Sequence, residues 1–161
     1  MRRLKPRLNL QRGLTIIELM VAFAIASMLA LAAAPYFADY GINARLREGG
    51  NVVYAEVLFA QSEAIKRNHT VRVSTASDGT VTVVDTTPTT PVTLRTRVVS
   101  SDVVLPNAAI TFGTAGWPTP LVATNIDLSH ATTTCDGDHR CPRLRVEAGG
   151  AVRVCGNKYS C

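Results

Sequence analysis

From Leu19 to Ala38 the chain carries no charged side chain. A helix of that length rises about 30 Å, the thickness of a bilayer's hydrocarbon core. Five basic residues, Arg2, Arg3, Lys5, Arg7 and Arg12, stand ahead of the run, and the stretch Met1 to Gly13 holds no acid. A basic stretch followed by an apolar one is a targeting or anchoring signal, and the positive-inside rule leaves its N-terminus in the cytoplasm. Everything beyond about Asp39 is therefore expected on the far side of the membrane. The net charge of +5 loses its meaning once position is considered. Without the five leading bases, 12 bases face 12 acids, so bulk charge does not argue for a nucleic-acid partner. A chain of 161 residues with 47% hydrophobic and 18% charged residues holds enough apolar material for one core and is not a disordered chain.

Two ordinary readings of this N-terminus are a secretory signal peptide, with small residues at Ala30-Leu31-Ala32 and Ala32-Ala33-Ala34, and a plain anchor. Glu18 fits neither. A carboxylate at the centre of an apolar span costs roughly 2.5–3.5 kcal/mol and somewhat less near the interface, so such a residue points to function. The stretch Gly13, Leu14-Thr15-Ile16-Ile17-Glu18-Leu19-Met20, the apolar run and Pro35 together resemble the class III signal of type IV pilins and type II secretion pseudopilins. The resemblance implies that a prepilin peptidase cuts after Gly13 and that Leu14 becomes an N-methylated first residue. Counted from Leu14, Glu18 is fifth and Pro35 twenty-second, as in that family; Leu14 stands where the family usually has phenylalanine. Glu18 is then placed to meet the amine of a neighbouring subunit, and pairing removes most of the penalty on a lone buried charge.

These features divide the chain into a leader (1–13), a transmembrane or filament-core helix (14–39), an amphipathic helix (40–68) and a β-rich head (69–161). In the third segment Val53, Val57, Ala60 and Ala64 recur at helical spacing, with Leu58 and Ile65 beside them. Glu63 with Lys66 and Arg67 reads as a solvated face, and Asn68 as a stop. Pro35 is expected to kink the helix, and Gly49-Gly50 leaves open one bent rod or two helices. From Thr70 the period becomes two: Val71 and Val73, then Val81 and Val83, flank a turn at Ser77-Asp78-Gly79. Thr86 to Thr96, with Pro88 and Pro91, reads as a loop or edge strand. Short strands follow at Val98–Leu105, Ala109–Phe112 and Asn125–Ser129, with a loop at Gly113–Pro120. A last hairpin pairs Leu144 and Val146 with Val152 and Val154 around Ala148-Gly149-Gly150. The expected class is α+β: a long N-terminal helix packed on antiparallel β-sheets, as in pilins.

Two further stretches, FAQSEAIKRNHTVRV (Phe59 to Val73) and GGAVRVC (Gly149 to Cys155), resemble the GspH/FimT branch. What this implies is a minor pilin or pseudopilin that helps initiate or cap a type IV pilus or a type II secretion pseudopilus. It would be a single-pass protein of the bacterial inner membrane with a periplasmic head. The implied partners are the prepilin peptidase, other pilins or pseudopilins and the inner-membrane assembly platform. A DNA-binding minor pilin of natural transformation and a plain anchored periplasmic domain are the alternatives.

Cys135, Cys141, Cys155 and Cys161 are gathered in the final stretch of the sequence, and an even count beyond the membrane implies disulfides. Three connectivities are open, among them two local loops and a bridge across the final hairpin. The Cys135-to-Cys141 segment does not have the ligand spacing of a zinc or calcium site, so no metal or cofactor is expected. His69, His130 and His139 are scattered, no nucleophile, Walker or dinucleotide motif is present, and no enzymatic activity is expected. Arg143, Arg145 and Arg153 share the outer face of the last hairpin, with Arg140 and Lys158 near. They read as a solvated face, or alternatively as phosphate contacts. Some members resembling FimT bind DNA through the arginines of a G-R-x-R motif; here Ala151 replaces the first and Arg153 matches the second.

Overall fold

The computed structural model describes residues 14–137 and 139–161; the leader, including Gly13 of the expected cleavage site, lies outside the described residues. Helix α1 runs through Ile16–Arg67, a length of 52 residues. It opens with a reciprocal cap. The Thr15 N–H and Thr15 Oγ1 both donate to Glu18 Oε2 at 2.9 Å, and the Glu18 N–H donates to Thr15 Oγ1 at 3.3 Å. This is the Thr-x-x-Glu capping box, which satisfies helix N–H groups that have no partner within the helix. Pro35 lies inside α1. At the far end Asn68 takes the left-handed conformation (φ 54°), and the His69 N–H reaches back to the Ala64 carbonyl at 3.2 Å. Asn68 is thus the stop that the sequence indicated.

The chain divides into a unit up to Phe37 and a second from Ala38 onward. In the first, every large apolar side chain from Leu14 to Phe37 is more than half exposed. This helix is long and apolar enough to cross a membrane.

In the second unit α1 buries one stripe: Leu46, Gly49, Gly50, Val53, Glu56, Val57, Ala60, Glu63 and Ala64. Val53, Val57, Ala60 and Ala64 are fully buried, as their spacing predicts, but Leu58 and Ile65 fall outside the stripe and are exposed. Glu63 corrects a second expectation. It lies within the stripe, buried, and it pairs with Lys66 at 3.3 Å and Arg67 at 2.6 Å, so only the cations of this cluster face water. The helix is not broken at Gly49-Gly50. A Cβ on Gly49 would stand 3.1 Å from Val103 Cγ1 and 3.3 Å from Leu128 Cδ2. The bare backbone admits these side chains, and that packing offsets the roughly 1 kcal/mol each glycine costs a helix.

Three antiparallel sheets complete this unit. The first contains β1 (Val71–Thr75), β2 (Thr80–Asp85), β3 (Val92–Val98) and β5 (Ala108–Phe112), in the order β3-β2-β1-β5. The second pairs β4 (Val103–Val104) with β7 (Ser129–His130). The third joins β6 (Thr124–Asp127), β8 (Arg143–Val146) and β9 (Val152–Cys155), in the order β6-β8-β9. Val71, Val73, Val81, Val83, Ile110 and Phe112 from the first sheet, with Ile126, Leu144 and Val146 from the third, form one core with the α1 stripe. The Pro-flanked segment does supply an edge strand, β3. Val98–Leu105, however, is not one strand. The chain turns at Ser100, where the Val103 N–H donates to the Ser100 carbonyl at 2.9 Å, and β4 leaves for a different partner. Asn125–Ser129 is likewise divided at Leu128, whose N–H donates to the Pro142 carbonyl at 3.0 Å.

Candidate functional site

Glu18 is held by its own chain. Both bonds from Thr15 go to Oε2, so the carboxylate is oriented at the first turn of α1 while Oε1 takes neither of them. Sequence reasoning missed Thr15, although the Thr-x-x-Glu spacing just before an apolar run carries the capping signature. Leu14 precedes this cap and is largely exposed.

The arginines of the last hairpin come together as strand alternation predicts, but each meets an acid. Arg145 and Arg153 lie directly opposite on β8 and β9. Glu147 sits between them, accepting from Arg145 Nε at 2.8 Å and from Arg153 Nη2. Arg143 is bidentate to Asp127 on the neighbouring β6, at 2.5 and 2.8 Å. Like charges opposite one another destabilise a sheet, and the interposed carboxylate reverses the sign. Arg143 holds the Asp127 carboxyl below its ordinary range, and Arg145 with Arg153 does the same for Glu147. A phosphate arriving here would compete with two carboxylates for three guanidinium groups.

The cysteines pair locally, Cys135 with Cys141 and Cys155 with Cys161, and the bridge across the hairpin is not formed. The first loop is tied to α1: His139 Nε2 lies 3.3 Å from Asp39 Oδ1, and the Arg140 N–H donates to Asn43 Oδ1 at 2.9 Å. Among the described residues no cluster of three metal-ligating side chains occurs. Of the other two histidines, His69 meets the buried Asp85 at 2.8 Å, and His130 bonds Thr132.

Gln61 is a second residue that sequence reasoning missed. Its Nε2 donates to the Gly116 carbonyl at 2.8 Å and to the Gly150 carbonyl at 2.9 Å, so one side-chain amide fastens two distant loops to α1. Both glycines have positive φ, 77° and 83°, a conformation that L side chains rarely adopt.

A helix with a bare apolar N-terminal part, whose later turns form the core of antiparallel sheets, defines the pilin-like α+β class. Among solved structures, the chain is similar to the type IV minor pilin FimU of Pseudomonas aeruginosa. The identity is 12% and the TM-score 0.57, over 68% of this chain and 87% of that one. It is also similar to the minor pseudopilin EpsH from the type 2 secretion system of Vibrio cholerae. There the identity is 12% and the TM-score 0.56, over 69% of this chain and 96% of that one. Residues 50–150 match the family described as type II transport protein GspH, and residues 8–34 match the prokaryotic N-terminal methylation motif. The chain belongs to the GspH family. It is a minor pilin or pseudopilin, a structural subunit and not an enzyme. The methylation motif implies processing by a prepilin peptidase, and the family implies other pilins as partners.

Proposed function

We propose that this chain helps to initiate or cap a filament, a type IV pilus or a type II secretion pseudopilus, from the bacterial inner membrane. Prepilin peptidase cuts between Gly13 and Leu14, Leu14 is N-methylated, and the head lies in the periplasm. Glu18 then sets the register of docking. The new amine of a neighbouring subunit is a buried cation unless a carboxylate meets it, and pairing removes most of that cost in one stagger only. The inner-membrane assembly platform completes the set of partners. What carries the reading is that one helix joins the methylation motif at residues 8–34 to a head that matches GspH from residue 50. The capping box supports it further, because a carboxylate already oriented by Thr15 loses less freedom when a second donor arrives.

The test is made in the native host. Mass spectrometry of the mature N-terminus is expected to find N-methylated Leu14. A start after Ala34, or an intact Met1, would defeat the reading. Glu18→Ala should still be cleaved yet be depleted from filaments. Normal incorporation of that variant would remove the role of Glu18 in setting the docking register.

A further inference from the structure

We propose that the groove between the exposed flank of α1 and the open edge of β3 docks an extended acidic polypeptide segment, which adds to β3 as a fifth strand of that sheet. The inference rests on the head alone and is independent of processing and of Glu18.

Among the described residues β3 hydrogen-bonds only to β2, so one edge of Val92–Val98 carries no strand. An uncovered edge is a template for another chain, and its side chains decide which chain is admitted. Val81 and Val83 face the core, and Arg97 and Arg95 lie opposite them, so both arginines stand on the helix side of the sheet. Beside them is a groove of about 930 Å³, to which α1 contributes Arg47, Glu48 and Glu56 and the disulfide loop contributes Arg140. Four guanidinium groups thus face two carboxylates. Among the described residues neither Arg47 nor Arg140 forms an ion pair.

Glu56 is the informative residue. It is 3% exposed, with Oε1 at 3.3 Å from Arg95 Nη1 and 3.7 Å from Arg97 Nε. Its Oε2 is buried and has no hydrogen-bond partner. Arg95 is held by Glu56 and by the Phe59 ring, 3.7 Å below it, so its guanidinium is already placed. A strand added to the edge supplies backbone N–H and C=O groups to β3. Residues two apart on that strand point to the helix side, so acids at alternate positions meet Arg97, Arg47 and Arg140. The same charges reject a second copy of β3, which would set arginine against arginine. A nucleic acid answers the charge but supplies no strand backbone for the β3 edge.

The experiment uses the full chain in detergent micelles and a labelled heptapeptide alternating threonine and glutamate, followed by fluorescence anisotropy. The glutamate peptide is expected to bind and its lysine counterpart not to. Arg97→Glu is expected to weaken binding about tenfold, as the loss and reversal of one to two cross-strand charge pairs predicts. That variant should in turn accept the lysine peptide. Arg97→Glu also sets a carboxylate beside the buried Glu56 and lowers stability, so its binding is measured well below its melting temperature. Arg47→Glu on the helix flank, where the native arginine forms no ion pair among the described residues, provides an independent second variant that should melt as before. Methylating the peptide nitrogens that face β3 should abolish binding, and bound peptide should slow amide exchange along Val92–Val98. The proposal is overturned if no peptide binds, or if the N-methylated peptide binds equally well, as it would to a mere anion patch. It is equally overturned if a duplex oligonucleotide displaces the peptide and binds more tightly.

Discussion

Replacing Gln61 by leucine keeps the size and helix propensity of the side chain and removes both donors to the Gly116 and Gly150 carbonyls. Each hydrogen bond contributes about 1 kcal/mol net, so losing both costs about 2 kcal/mol, and the acceptors left unpaired in a half-buried site add to the loss. For a head of this size each kcal/mol moves the melting temperature by about 4 °C, so Gln61→Leu should melt about 8 °C below the parent chain. The single tryptophan, Trp117, adjoins Gly116 and reports the event locally. Its emission, followed during heating of the full chain in micelles, should change before or together with the global transition. Gln61→Glu should be worse at neutral pH, because a carboxylate would face two carbonyl oxygens. That environment raises the folded pKa of the introduced group. The excess penalty is therefore full above that pKa and absent below the unfolded value, so the deficit relative to the parent should shrink on acidification. If Gln61→Leu melts within about 1 °C of the parent and Trp117 emission is unchanged, the two loops hold without the amide and the reasoning fails.

The pairs Asp127–Arg143 and Glu147–Arg145/Arg153 predict acid sensitivity. Both carboxyls are held below their ordinary values, so their stabilisation is full above the unfolded range and is lost as pH falls from about 4.5 through the folded values. Calorimetry across that window should show the loss, and Asp127→Asn should flatten it. At the adjacent glycines the signs should differ. Gly49→Val forces a side chain against Val103 and Leu128 and should cost about 1–3 kcal/mol. Gly50→Ala meets the Pro142 ring at 3.4 Å and Val154 Cγ1 at 3.8 Å, both ordinary contacts, and should be neutral or gain up to about 1 kcal/mol, both variants being read from denaturant melts.

Strong periodicity carried the legible part of this fold. The valines at 71, 73, 81 and 83 and the pairing of the last hairpin read correctly because each hairpin is closed by contacts between near neighbours in the chain, although Val154 is exposed and not part of the core. Val98–Leu105 misled because an apolar run does not show where its strand partners are. The Ser100-Ser101-Asp102 turn was the overlooked signal. Glu63 read as solvated because its type usually is; only the neighbouring lysine and arginine make its place on the stripe tolerable. The cysteine pairing was not legible, since equal spacings of six leave local and crossed bridges open. Gln61 lay beyond reach for a simpler reason: its acceptors are 55 and 89 residues away.

The α1 stripe is roofed by sheets that end far apart in the chain, and this governs the order in which the head can mature. Synthesis delivers Val53, Val57, Ala60 and Ala64 first and the β1–β2 hairpin soon after. Leu144 and Val146, which belong to the same core, emerge only after all of the first sheet has been made. β8 lies between β6 and β9, so the third sheet cannot begin until that late strand has arrived. Until then part of the helix stripe is bare. Pairing across such separations is slow, and exposed apolar stripes aggregate in the meantime. The vulnerable interval in the life of this protein is therefore the one in which the helix stripe and the first sheet exist and the last hairpin is still to come.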